Sequence, residues 1–273
     1  MKEPVVDVIV IGAMKSGTTA AYHLFKQHKI FGINKKKEVN FFLKEFDAHD
    51  LALYDSTFNE GSIRVDVSPN YSKRHLYNGN TAREINRSNP NARLIYLVRD
   101  PLKRIESHLY HNLLRGRVDL SKVTDMKYLE NYILTSSYMY QIEPYLEVFH
   151  KGQIVALQQE IMRHDPVQFI ELLSVFLNIP VLPQKKIDVY YSGETRYLVP
   201  YYDKALKLMG HSVVFNLYNT FWSFINIKPK PLLLPEATRE LIREKLHDDI
   251  GRFCSSFAIN KSLWSDFFGA NSQ

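Results

Sequence analysis

The run Val5-Val6-Asp7-Val8-Ile9-Val10-Ile11, followed at once by Gly12-Ala13-Met14-Lys15-Ser16-Gly17-Thr18-Thr19, constrains this chain more than any other stretch. A nearly continuous β-branched run suits a strand covered on both faces, which is the situation of a parallel strand in an α/β sheet. The glycines that follow permit a tight turn with converging backbone N–H groups, and a helix starting at Thr18 would aim its positive end at that turn. This is an anion cradle. Gly12 and Gly17 keep the spacing of a Walker loop, G-x-x-x-x-G-K-[ST], yet Thr18 stands where the lysine belongs and Lys15 lies inside the loop. Ser16, Thr18 and Thr19 add hydroxyl donors, so the phosphate-bearing ligand of this loop meets its cation within the turn.

The rest of the chain alternates short apolar runs with helical patterns, the signature of an α/β fold. Strands are expected at Val5–Ile11, Ser62–Val67, Arg93–Val98 and Gln153–Leu157, and helices at Thr18–His28, Thr81–Ser88, Pro101–Arg115, Lys127–Phe149, Pro166–Leu177 and Pro235–Phe253. The expectation is a P-loop-like parallel sheet flanked by helices, forming a single domain over residues 1–273. Its aromatic-rich part, 181–273, reads as a C-terminal lid or cap.

With 45% hydrophobic and 23% charged residues, a chain of 273 residues can bury a core without staples, and its single cysteine, Cys254, cannot form an internal disulfide. No apolar run reaches the ~18 residues of a membrane span, and the first residues lack a signal-peptide layout, so a soluble protein of the reducing cytoplasm is expected. A net charge of +6 favours an anionic ligand. The cluster Lys35 to Lys37 has no nucleic-acid module around it, so no nucleic acid partner is expected. Nor is a metal, because His108 and His111 lack a third ligand.

A second element lies about eighty residues on, in ARLIYLVRDPLKRIESHLYH, Ala92 to His111. A buried strand ends at Val98, Asp100 is placed as a helix N-cap, and Pro101 takes the first helical position. Arg104, Ser107 and His111 then share one helix face. Arg99 at the strand end and Ser107 two turns into the helix can grip a second phosphate. Taken alone, the segment reads first as an Arg–Asp surface pair beside a cap.

Together the two elements resemble the PAPS-dependent sulfotransferases, in which a G-x-x-K-[SA]-G-T-[TS] loop holds the 5′-phosphosulfate and an R-[DN]-P-x-x-R-x-x-S element the 3′-phosphate. Gly12 to Thr19 and Arg99 to Ser107 fit both patterns. KKKEVNFF, Lys35 to Phe42, is similar to the K-E-x-H-F-F stretch of the heparan sulfate glucosaminyl branch. That likeness implies Glu38 as catalytic base beside Lys15, with Asn40 in place of a frequent histidine. Burial beside Phe41 and Phe42 would make Glu38 a stronger base, and the neighbouring lysines a weaker one.

RVDVSPNYS, Arg64 to Ser72, resembles the E-K-[ST]-P-x-Y block, with Val67 where a lysine is common. The S-x-Y helix is matched by Ser136 and Tyr138, and the loop that closes over the nucleotide by SGETRYLVP, which carries Arg196. The resemblance implies PAPS as donor, no metal, and a hydroxyl or amine acceptor on a carbohydrate or small metabolite. Asp66, Asn40 and Phe41 are the acceptor-side candidates, and Asp66 and Glu160 are further acids near strand ends. Two rival readings stand beside this one. One is a P-loop small-molecule kinase using ATP and magnesium; the other is a non-catalytic module that binds nucleotide or anionic glycan.

Overall fold

The computed structural model describes residues 6–77, 80–183, 208–209, 217–218, 220–221, 224–225 and 230–269. Strands β1 (Val8–Gly12), β2 (Phe31–Ile33), β3 (Ile63–Val67), β4 (Arg93–Val98) and β5 (Ile154–Gln158) form one sheet in the order β2-β3-β1-β4-β5. Every pairing is parallel, with Val8 opposite Val65 on one side and Arg93 on the other.

Alternation along β1 explains its unbroken apolar run. Val8 and Val10 face one core with Val65, Val67, Ile95 and Leu97, while Ile9 and Ile11 face a second core with Leu94, Tyr96 and Val98. Helices cover both faces because both are apolar. In chain order they are α1 (Thr18–Lys26), α2 (Ala48–Asp55), α3 (Arg74–Tyr77), α4 (Thr81–Ser88), α5 (Pro101–Leu113), α6 (Glu130–Ser136), α7 (Tyr138–Val148), α8 (Gln159–His164), α9 (Pro166–Leu177), α10 (Glu236–Ser256) and α11 (Ser265–Phe268). Residues of α1 and α9 fill the first core; those of α4, α5, α7 and α10 fill the second. No described helix is long and apolar enough to cross a membrane.

Three differences from the sequence expectation have physical causes, two of them local and one long-range. Strand β2 is only three residues long and contains Gly32, where an added Cβ would lie 2.6 Å from the Asn59 carbonyl oxygen. Such a strand is too short to show periodicity. Helices α2, α3 and α8 are similarly brief, at eight, four and six residues.

The expected helix Lys127–Phe149 is instead two, broken at Ser137 with φ −76° and ψ 79°. The break is held from far away, since the Asp249 carboxylate of α10 accepts from the N–H groups of Met139 (3.1 Å) and Tyr140 (2.8 Å). It thereby caps α7 across the chain.

Within 181–273, the described stretch that includes α10 is packed into the second core through Ile242, Leu246, Ile250 and Phe253, and Trp264 is fully buried there. Replacing Asp249 by Ala leaves those two N–H groups without their acceptor. The expected cost is about 1–2 kcal/mol, read as a lower urea midpoint with an unchanged slope, and Asp249→Asn should cost less.

Candidate active site

The sheet delivers its candidate residues to one edge. Loops leaving the carboxyl ends of β1, β2, β3 and β4 carry, in turn, Lys15, Glu38, Lys73 and Arg99, at the end of an open α/β sheet where ligands bind. The first loop is strapped to the third: Ser68 N–H donates to the Val10 carbonyl (3.1 Å) and Ser72 N–H to the Ile11 carbonyl (2.8 Å). That close approach explains Gly12, because a Cβ there would stand 2.1 Å from Ser72 Oγ.

Gly17 has φ +88° and, as the N-cap of α1, provides no side-chain acceptor for the first amides of the helix. Those amides have no intrahelical partner. Ser16 is fully buried, and its hydroxyl has no hydrogen-bond partner among the described residues. A buried hydroxyl left unmatched beside an uncapped helix start fits a bound anion.

The segment after β4 is built as its sequence suggests. Asp100 caps α5, its Oδ1 accepting from Leu102 N–H (3.0 Å) and Lys103 N–H (3.1 Å), while its Oδ2 accepts from Phe267 N–H (3.0 Å). Glu160 accepts from Asp100 N–H (2.9 Å) and from Trp264 Nε1 (3.3 Å). Burial raises the pKa of both carboxyls. The Tyr138 hydroxyl, fully buried, accepts from Arg99 N–H (3.3 Å) and donates to the Arg99 carbonyl (2.6 Å), fixing the backbone from which the Arg99 side chain leaves. The side chains of Arg99 and Ser107 are half-buried and make no hydrogen bond among the described residues.

Of the non-glycine residues with positive φ among those described, three are candidates already nominated: Lys15 (φ 73°), Glu38 (61°) and Asn40 (57°). Such conformations cost energy and persist where surrounding contacts impose them. For Glu38 and Asn40 the contacts are visible. Glu38 N–H donates to the Val67 carbonyl (3.2 Å), Asn40 N–H to Ser68 Oγ (3.2 Å), and Asn70 Nδ2 to Asn40 Oδ1 (3.3 Å).

Ser68 in turn donates to Asp66 (2.7 Å), which also accepts from Tyr54 (2.7 Å) and Tyr71 (2.8 Å) and is fully buried. Desolvation raises the Asp66 pKa despite these three hydroxyls. Asp66 therefore anchors the strap that carries Glu38.

The Glu38 side chain is 40% exposed and paired with Lys37, so the expected burial beside the phenylalanines is not found. Phe41 instead stacks on Tyr54 and Phe42 lies in the core. Arg196 lies outside the described residues, as do Tyr190, Tyr191, Tyr201 and Tyr202.

Two residues near the loop escaped sequence reasoning in the roles they have here. Arg104, fully buried, reaches the Met14 carbonyl (3.4 Å) and donates to Ser136 Oγ and the Tyr132 carbonyl, tying the second element to the first. Burial lowers its pKa to about 10. Lys73 places its ammonium against the Met14 thioether (3.2 Å). His108 is buried beside both; desolvation first, then the cations Arg104 and Lys73, push its pKa far below the usual range and keep it neutral.

A strand–loop–helix anion cradle, joined to an arginine-bearing strand end on the same sheet edge, is a nucleotide-binding α/β architecture. The chain belongs to the sulfotransferase family, whose domain model matches residues 6–192. It is 22% identical over 206 residues to the bifunctional heparan sulfate N-deacetylase/N-sulfotransferase 1 of Caenorhabditis briggsae, covering 67% of this chain and 24% of that protein. Over 111 residues it is 36% identical to the membrane-associated sulfotransferase kil1 of Dictyostelium discoideum, covering 38% of this chain and 22% of the other. The chain thus spans about a quarter of the curated relatives it matches. A sulfotransferase structure from Alicyclobacillus acidocaldarius shares the fold with a TM-score of 0.69 at 17% identity, covering 95% of this chain and 98% of that one.

Gly12→Ala should lower thermal stability by about 1–3 kcal/mol through overpacking against Ser72. Adding Ser72→Gly to the same chain should recover most of the loss, and a thermal double-mutant cycle reads the coupling directly.

Proposed function

We propose that this chain moves a sulfuryl group from PAPS to a hydroxyl or amine of a carbohydrate or small metabolite, leaving adenosine 3′,5′-bisphosphate. The observation that carries this reading is the placement of two anion-receiving ends on one sheet edge. One is the Gly12–Gly17 loop with the unmatched Ser16 hydroxyl, and the other is the strand end and helix that carry Arg99 and Ser107, whose side chains make no hydrogen bond among the described residues. Lys15, Ser16, Thr18, Thr19 and the first amides of α1 hold the 5′ end; Arg99 and Ser107 hold the 3′-phosphate. PAPS supplies an activated sulfuryl group whose departure leaves charge on the 5′-phosphate.

The work of the chain is positioning and electrostatics. Lys15 and the helix start meet the charge that develops on the leaving phosphate. Glu38, partly exposed and strapped to the end of β3, takes the proton of the acceptor. His108 is a poor base because burial first, and then the cations around it, disfavour the imidazolium.

No metal is assigned a role. The described cluster Asp47, His49 and Asp50 is accounted for by the capping box at the start of α2. The kinase reading has no observation in its favour, with Arg99 following β4 in place of a magnesium-binding acid. A cytoplasmic setting is the one we adopt.

Arg99→Ala and Ser107→Ala are expected to weaken binding of adenosine 3′,5′-bisphosphate by tenfold or more, with little effect on its analogue lacking the 3′-phosphate. Calorimetric titration of both nucleotides decides it, and equal losses would remove these residues from the 3′ site. Glu38→Gln should leave PAPS binding intact while transfer falls by ~10²–10⁴. Normal turnover in that variant would take the base away from Glu38.

A further inference from the structure

Lys73 follows the turn after β3 and is only 9% exposed. Its Nζ donates to the thioether sulfur of Met14 at 3.2 Å, the one acceptor the ammonium has among the described residues. An ammonium carries three donors and a thioether is a weak acceptor. Buried charges are ordinarily paired and fully hydrogen-bonded, and this one is neither.

Its charged surroundings sharpen the point. Arg104 and His108 approach from α5, His75 from α3, and Glu38 from the loop after β2. Burial, followed by Arg104, lowers the Lys73 pKa to about 8, against which Glu38 pulls upward. A cation with so weak an acceptor, placed on the anion loop and within the field of the acceptor-side carboxylate, gains most when an anion arrives between them.

We propose that Lys73 is a second lysine of the transfer site and hydrogen-bonds the sulfuryl oxygens of the donor, while Lys15 serves the phosphate. This rests on the sulfotransferase reading above. In the reaction the acceptor oxygen or nitrogen forms a bond to sulfur, and its proton goes to Glu38. The bond from sulfur to the bridging oxygen breaks, its electron pair staying on the 5′-phosphate. Lys73 neutralises the equatorial oxygens throughout and neither gains nor loses a proton.

The test compares PAPS, which carries the sulfuryl group, with adenosine 3′,5′-bisphosphate, which lacks it, by calorimetry on wild type, Lys73→Met and Lys73→Arg. For Lys73→Met the expected result is a PAPS affinity lowered about 10- to 100-fold and a bisphosphate affinity within about threefold of wild type. Wild-type affinity for PAPS should fall as pH rises past about 8, because Lys73 loses its proton in the free protein; Lys73→Arg should abolish that fall.

Equal losses for both nucleotides, a larger loss for the bisphosphate, or unchanged affinities would each overturn the assignment. The pH series on wild type needs no variant, so a Lys73→Met chain that fails to fold leaves a deciding measurement: a flat profile up to pH ~10 refutes the proposal. Should wild type bind neither nucleotide at any pH, the sulfotransferase reading itself has failed, an outcome distinct from all of these.

Discussion

Everything else in this structure depends on burying β1 on both faces. A strand that sends Val8 and Val10 into one core and Ile9 and Ile11 into the other must have parallel neighbours and helices above and below. Once β3 and β4 flank it in parallel, their carboxyl ends open on the same edge as the glycine loop. The site is therefore a product of sheet direction: a strand reversed beside β1 would carry its loop to the opposite edge.

Precision within that edge comes from buried polar groups. Asp66 gathers Tyr54, Tyr71 and Ser68, and through Ser68 it holds the backbone that presents Glu38 and Asn40. Glu160 and Tyr138 do the same for Arg99. These acids are spent on holding other groups, with burial raising their pKa and hydroxyls or amides offsetting part of the cost. A fully satisfied network of this kind fixes the loops more rigidly than apolar packing alone, at the expense of tolerance to substitution.

Much of this was legible beforehand, for identifiable reasons. The strand–glycine–helix element and the Asp100-Pro101 helix start are local, and local chemistry writes itself into adjacent residues. The split between α6 and α7 was illegible because its cause, Asp249, lies more than a hundred residues on. Lys73 was illegible for a related reason. A lysine was sought at 67, where Val67 turned out to serve the core, and only the turn after β3 brings a different lysine to the loop. The acids at Asp66 and Glu160 stood out as strand-end carboxylates, but their hydroxyl, amide and indole partners are nonlocal and appear only in three dimensions.

The clasp between Asp100 and Phe267 has a consequence in time. One carboxylate oxygen starts α5 from its immediate neighbours, whereas the other waits for an amide 167 residues downstream, next to the tryptophan that also binds Glu160. On a ribosome, β1 and its glycine loop can form early with β3, while the segment that carries Arg99 is clasped only once residue 267 has emerged. The glycine loop and the Arg99 segment would thus be set in place at different times during synthesis, the first by residues made early and the second by residues far downstream.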